Sequence, residues 1–167
     1  MYSSMKMWKK AAALMLVLCM IGGLTACAGG SAGETETTTR LVENTAQEYD
    51  SFEAAIAASG TAFGLPANIS AQPTTYAAIG SILEVTYGEN REIVIRKAPG
   101  NEDVSGDTTE YAVVKQLDVN GTWVTVKGPA EGAWNLILWL SEDATYAISL
   151  KEAVNDEAVA TWVSMIK

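Results

Sequence analysis

The chain has 167 residues, with 11 basic and 20 acidic side chains, no histidine, a formal net charge of −9 and a sequence pI near 4.4. An acidic balance of this size repels nucleic acid and anionic lipid headgroups. Without histidine, no Ser-His or Cys-His nucleophile can be built anywhere in the chain.

The first segment reads as an export signal. Lys6, Lys9 and Lys10 precede an apolar run from Ala11 to about Thr25. At roughly 15 residues the run is short of the ~20 that a membrane-spanning helix needs. It closes on Leu24-Thr25-Ala26-Cys27, which resembles the bacterial lipobox of Leu, a small residue, Ala or Gly, then Cys. The resemblance implies that residues 1–26 are a lipoprotein signal peptide, removed to leave Cys27 first in the mature chain with a diacylglyceryl group on its sulfur. The mature protein is then exported and anchored to the outer face of the cell membrane. An uncleaved membrane anchor is the alternative, and it leaves the domain on the same side. Cys19 departs with the signal, so no second thiol remains for a disulfide or for thiol catalysis. Removing residues 1–26 takes away three lysines and no acid, leaving 8 basic and 20 acidic residues, a mature balance of −12.

Residues 27–47 run from the lipidated cysteine through Ala28-Gly29-Gly30-Ser31 and Glu34-Thr35-Glu36-Thr37 with little apolar to bury. They are expected to form a flexible tether with a reach of ~25 Å. Residues 48–167 suffice for a single domain with one core.

The spacing predicts a short helix over about 51–59. Asp50 and Glu53 fit a capping box, Phe52, Ala55 and Ile56 form the apolar stripe, and Gly60 suits the left-handed turn that ends it. The period then changes to two. A strand over about 68–76 carries Pro73, which marks an edge. Further strands follow at Leu83–Tyr87, Ile93–Arg96, Tyr111–Val119, Trp123–Lys127, Trp134–Leu140 and Thr145–Leu150. Asn120-Gly121 is a strong type I′ hairpin signal. A last helix is expected after Asn155, its N-cap, with Val159, Trp162, Val163 and Ile166 as the core-facing stripe. The fold class is therefore α+β: an antiparallel sheet of about six to seven strands with an N-terminal and a C-terminal helix packed on it.

Several short motifs occur in order: Gly64-Leu65-Pro66, Ile82-Leu83-Glu84-Val85-Thr86-Tyr87, Asp103-Val104-Ser105-Gly106-Asp107, Val124-Thr125-Val126-Lys127-Gly128, Leu138-Trp139 and Tyr146-Ala147-Ile148. Over about residues 50–167 they resemble an extracytoplasmic domain of unknown function, found in lipoproteins and membrane-anchored proteins of Gram-positive anaerobes. That family has no established activity and carries over no catalytic residues. The resemblance implies a curved, half-barrel-like sheet with helical cover, loosely similar to lipoprotein carriers and envelope-stress regulators.

Two candidate sites stand out. The loop Asn101–Asp107 places Asp103, Ser105 and Asp107 in the pattern of the first half of a calcium-binding EF-hand. Ala112 occupies the position of the bidentate Glu, and strands rather than helices flank the loop, so a surface turn bonding its own amides is the competing reading. The second candidate is a ligand groove. In the strand 134–140, Asn135, Ile137 and Trp139 point to one face and Trp134, Leu136, Leu138 and Leu140 to the other. Two apolar faces need two covers, and two short helices are few for both. Trp139, Ile137, Asn135 and Tyr146 are therefore the expected lining, for a lipid or other apolar ligand, a peptide or a glycan; closure of this face into ordinary core by sheet curvature and the segment Asn68–Ile79 is the competing reading. Ser164-Met165-Ile166-Lys167 matches a Ser-x-x-Lys string but falls in the last turn of an amphipathic helix, where chance explains it better.

These features point to a non-enzymatic ligand-binding or sensing module at the cell envelope, with no cofactor beyond the covalent lipid and the candidate calcium. The alternative is a protein-interaction module with an acidic surface, and a carboxylate-based hydrolase is third. A Trp139 partly exposed in a concavity favours the ligand, and a buried Trp139 favours the interaction module.

Overall fold

The computed structural model describes residues 45–67, 69 and 72–166. The export segment, Cys27 and most of the tether lie outside these residues, as does Asn68, where the first strand was expected to begin. Among the described residues, no helix is long and apolar enough to cross a membrane.

The elements, in order, are β1 (Gln47–Tyr49), α1 (Phe52–Ser59), β2 (Pro73–Ile79), β3 (Ile82–Tyr87), β4 (Ile93–Pro99), β5 (Val113–Val119), β6 (Thr122–Gly128), β7 (Trp134–Ser141), β8 (Ala144–Val154) and α2 (Asp156–Met165). They make one antiparallel sheet, open at both ends, in the order β1-β2-β3-β4-β8-β7-β6-β5. The strand count among the described residues is eight rather than six or seven. The additional strand is β1, which pairs with Tyr76, Ala77 and Ala78 of β2. Three residues are too few to show a period of two, so its sequence reads as tether. Because β1 covers only that part of β2, the strand around Pro73 still lies on an open edge, beside a register shift at Pro73/Thr75.

Two four-stranded meanders build the sheet, and the β4–β8 ladder joins them side by side. One consequence is that the chain must travel from the middle of the sheet to its far edge between β4 and β5. Residues 100–112 make that crossing over one face.

The opposite face carries the larger core. The cross-strand row Tyr76, Val85, Ile95, Ile148, Ile137 and Val126 is apolar throughout and packs with the residues of α1 and α2. Each fully buried Ile or Val in it contributes about 1.5–3 kcal/mol. Helix α1 is capped by Ser51, whose Oγ accepts from the Ala54 amide at 3.2 Å, rather than by Asp50. Gly60 takes the left-handed conformation expected of it, and its N–H donates to Ile56. Asn155 caps α2 as expected, accepting from the Ala158 amide at 2.9 Å.

The pleat of β7 departs from simple alternation. A register shift between Trp134 and Leu136 sets Trp134 opposite Val154 while Leu136 sits opposite Ser149. Asn135 occupies the bulge, and its Nδ2 donates to the carbonyls of Leu150 and Lys151. The bulge turns Trp134 onto the helix face, where it joins the larger core and its Nε1 donates to Asp156 at the start of α2. The expected grouping of Trp134 with Leu136, Leu138 and Leu140 is corrected accordingly.

Candidate functional site

The helix face and the outer face each present a candidate. On the helix face, Lys97, Tyr146 and Trp139 are neighbours in one row across β4, β8 and β7. The two rings stack at 4.9 Å with 7° between their planes, and the Lys97 ammonium lies 4.7 Å from the Tyr146 centroid. The same ammonium donates to the carbonyl of Ala62 at 2.9 Å. A cleft of about 460 Å³ opens beside this stack, bounded by Asn120, Ser141, Glu142, Ser164 and Ile166. The Ser164 hydroxyl on its rim donates back to Ala160 at 2.7 Å.

Of the four expected groove residues, the structure brings together Trp139 and Tyr146. Ile137 belongs to the neighbouring row and is fully buried. Asn135 sits at the other end of β7, holding the bulge and bordering a separate hollow with Tyr111 and Pro129. Trp139 itself is only 4% exposed, and Tyr146 likewise. Their flat faces are taken up by one another and by the core, so they form the wall of a cleft rather than a platform.

On the outer face, Val104 from the crossing loop packs against Ala98, Leu136, Leu138 and Ala147, with Ile82 and Tyr111 at the margin. This loop is the second cover that the two-faced strand requires. An ionic cluster pins it. Glu84, 2% exposed, accepts from Arg96 Nε at 2.7 Å and from Arg91 at 3.1 Å. Arg96 in turn donates to the carbonyls of Val104 and Ser105.

The loop oxygens named as calcium candidates are placed among local donors. Asp103 Oδ1 accepts from the Ser105 amide and hydroxyl at 2.8 and 2.6 Å, and Asp103 Oδ2 faces Lys127 at 3.5 Å. Asp107 accepts from the Thr109 amide at 2.8 Å and from the Tyr111 hydroxyl at 2.6 Å. For both acids partial burial pushes the pKa up, and the hydrogen bonds and the Lys127 charge outweigh it, so both carboxyls lie below their ordinary value. Among the described residues, no group of three or more acidic or cysteine side chains is arranged to hold a metal ion.

Beyond the loop, no described residue covers the outer face at β6 and β7. Trp123 is 65% exposed and Leu140 is 51% exposed. With Trp139 paired to Val124, these two stand side by side on adjacent strands, bordered by Glu102 and Asp103 in a shallow hollow of about 260 Å³. The groove lining expected around Trp139 does not include this pair. The signal was present, since Val124 and Val126 claim the buried side of β6 and leave Trp123 on the other.

Comparison with family models, with curated proteins and with solved structures finds no match.

Proposed function

We propose that this chain is a non-enzymatic interaction module, anchored at the outer face of the cell membrane through a lipidated Cys27, that docks a protein partner on the outer face of its sheet. The observation that carries the reading is the Trp123–Leu140 pair, two large apolar side chains on neighbouring strands that are more than half exposed among the described residues. Isolated exposed apolar residues are ordinary, whereas an adjacent Trp and Leu bordered by Glu102 and Asp103 has the composition of an interface anchor and its rim. The burial of Trp139 favours the same reading over a ligand platform. The resemblance to extracytoplasmic lipoprotein domains and the half-barrel curvature it implies are compatible with it.

The test is photocrosslinking in intact cells of the source organism, with a photoreactive residue replacing Thr125 beside the pair and, as a control, replacing Gln47 on the far edge. A discrete adduct from position 125 alone is expected, and Trp123→Ala should weaken the partner by about 2 kcal/mol, or roughly thirtyfold, and deplete it. Equal adducts from both positions, or none from position 125, would sink the proposal.

A second reading rests on the cleft beside Lys97, Tyr146 and Trp139, whose volume of about 460 Å³ suits a small ligand. Native mass spectrometry of the chain purified gently from its host addresses it. A discrete added mass lost in Tyr146→Ala supports a ligand there, and a clean apo mass removes it.

A further inference from the structure

The two edges of the sheet are unlike. β1 is three residues long, too short to template a strand, which is one of the usual ways of blunting an edge. β5 runs seven residues in unbroken register with β6, without proline or bulge. Among the described residues, no other strand or loop is hydrogen-bonded to its outer side.

The turn fixes which groups that edge offers. Asn120 and Gly121, at φ 53° and 86°, form the type I′ loop in which the flanking pair Val119 and Thr122 is hydrogen-bonded. Counting back in twos, Leu117, Lys115 and Val113 bond to β6, while Val114, Gln116 and Asp118 aim their N–H and C=O groups at the open edge. An outward lysine commonly protects such an edge. Here the Lys115 ammonium is held 2.6 Å from Glu131. Val114 is 61% exposed, and Trp123 stands opposite Asp118 on the outer face.

Charge selects the occupant. Residues 45–166 hold 17 acidic and six basic side chains. Five of those six cations, Arg91, Arg96, Lys97, Lys115 and Lys127, are engaged with groups of this chain. We propose that β5 takes up an extended segment of a protein partner with alternating apolar and basic residues, as an added antiparallel strand. Its apolar side chains continue the half-buried rows of Val113 and Leu117 on the helix face. Its basic side chains reach Asp118 and the exposed ring of Trp123 on the outer face. A second copy of this chain is disfavoured because it brings the same excess of acidic over basic side chains to the pair and repels at long range. The proposal rests on the outer-face reading and names the chemistry of its partner.

The test uses the full chain in detergent and a synthetic peptide alternating lysine and valine, of β5's own length of seven residues. A glutamate-for-lysine version is the control. The lysine peptide is expected to slow hydrogen exchange at Val114, Gln116 and Asp118, to bind at least about tenfold tighter than the glutamate peptide, and to weaken with added salt. Gln116→Pro, whose lost N–H faces away from β6, should abolish this protection while the β5–β6 ladder stays intact. Val114→Lys should weaken the lysine peptide in an otherwise unaltered backbone. Absent protection at those three amides, equal binding of the glutamate peptide, or a dimer protecting them without peptide would overturn strand addition. Crosslinking from position 125 that survives Gln116→Pro sinks strand addition alone and leaves the outer-face reading standing.

Discussion

Tyr87 shows how much one atom can carry. Its ring fills the helix-face core at 2% exposure, yet among the described residues its buried hydroxyl has no hydrogen-bond partner. Burial, with the neighbouring Tyr76, pushes its pKa up to about 12 from 10.0. An unsatisfied buried hydroxyl costs free energy in the folded state alone, so Tyr87→Phe should stabilise the domain by about 1 kcal/mol, read as a higher urea midpoint at unchanged slope. An unchanged or lower midpoint would mean that the hydroxyl has a partner after all. That Tyr87 is a core residue is legible in the alternation of Leu83, Val85 and Tyr87. That its oxygen is stranded is not, because the position of a donor or acceptor across the core depends on strands far away in sequence. The same holds for Glu84, which reads as an outward residue of β3 and is instead buried under a loop that starts 16 residues later.

The crossing loop is the element on which the outer face depends, and Arg96 is its clamp. Arg96→Ala removes the donors to Val104 and Ser105 and leaves Glu84 buried with Arg91 and the Thr86 hydroxyl as its remaining donors. Breaking a buried ion pair from one side typically costs about 3–5 kcal/mol, so this variant should unfold at markedly lower denaturant, with the loop losing hydrogen-exchange protection first. Acid should act on the same element. The carboxyls of Asp103 and Asp107 titrate below their ordinary value in the folded chain, so their contribution is fully present above about pH 4 and is lost as pH falls through their lower folded values. Residues 103–109 should therefore keep their protection from neutral pH down to about 4 and lose it below, ahead of the β3–β4 ladder. Simultaneous loss of loop and ladder would contradict a separate acid-labile element. The strands from β3 to β8 are legible in sequence because each is a run rich in β-branched and aromatic residues between clear turns, alternating in β3, β5 and β6 and apolar on both faces in β7. The loop is not, since a polar stretch such as Asn101–Asp107 gives no sign of lying on a hydrophobic face until the order of the strands requires it to cross there. Trp134 illustrates the other limit. Its face is set by a bulge whose extra residues lie in β8, so alternation within β7 alone misassigns it.

For the molecule as a whole, the anchor and the domain make separate claims. Cys27→Ala should leave the chain unlipidated and move it from the membrane fraction to the soluble fraction or the medium, with the thermal transition of the domain unchanged. Retention with membranes would refute the anchor. Sequence alone determined the acidic balance, the lack of histidine, the α+β class and the approximate bounds of most elements, because composition and periodicity are local properties. Tertiary structure decided the rest: that Trp139 is walled in, that residues 100–112 cover part of the second face, and that among the described residues Trp123 is exposed and β5 ends the sheet with its edge open. All three follow from the order in which eight strands lie side by side, and that order is fixed by contacts between residues distant in the chain, which no local pattern records.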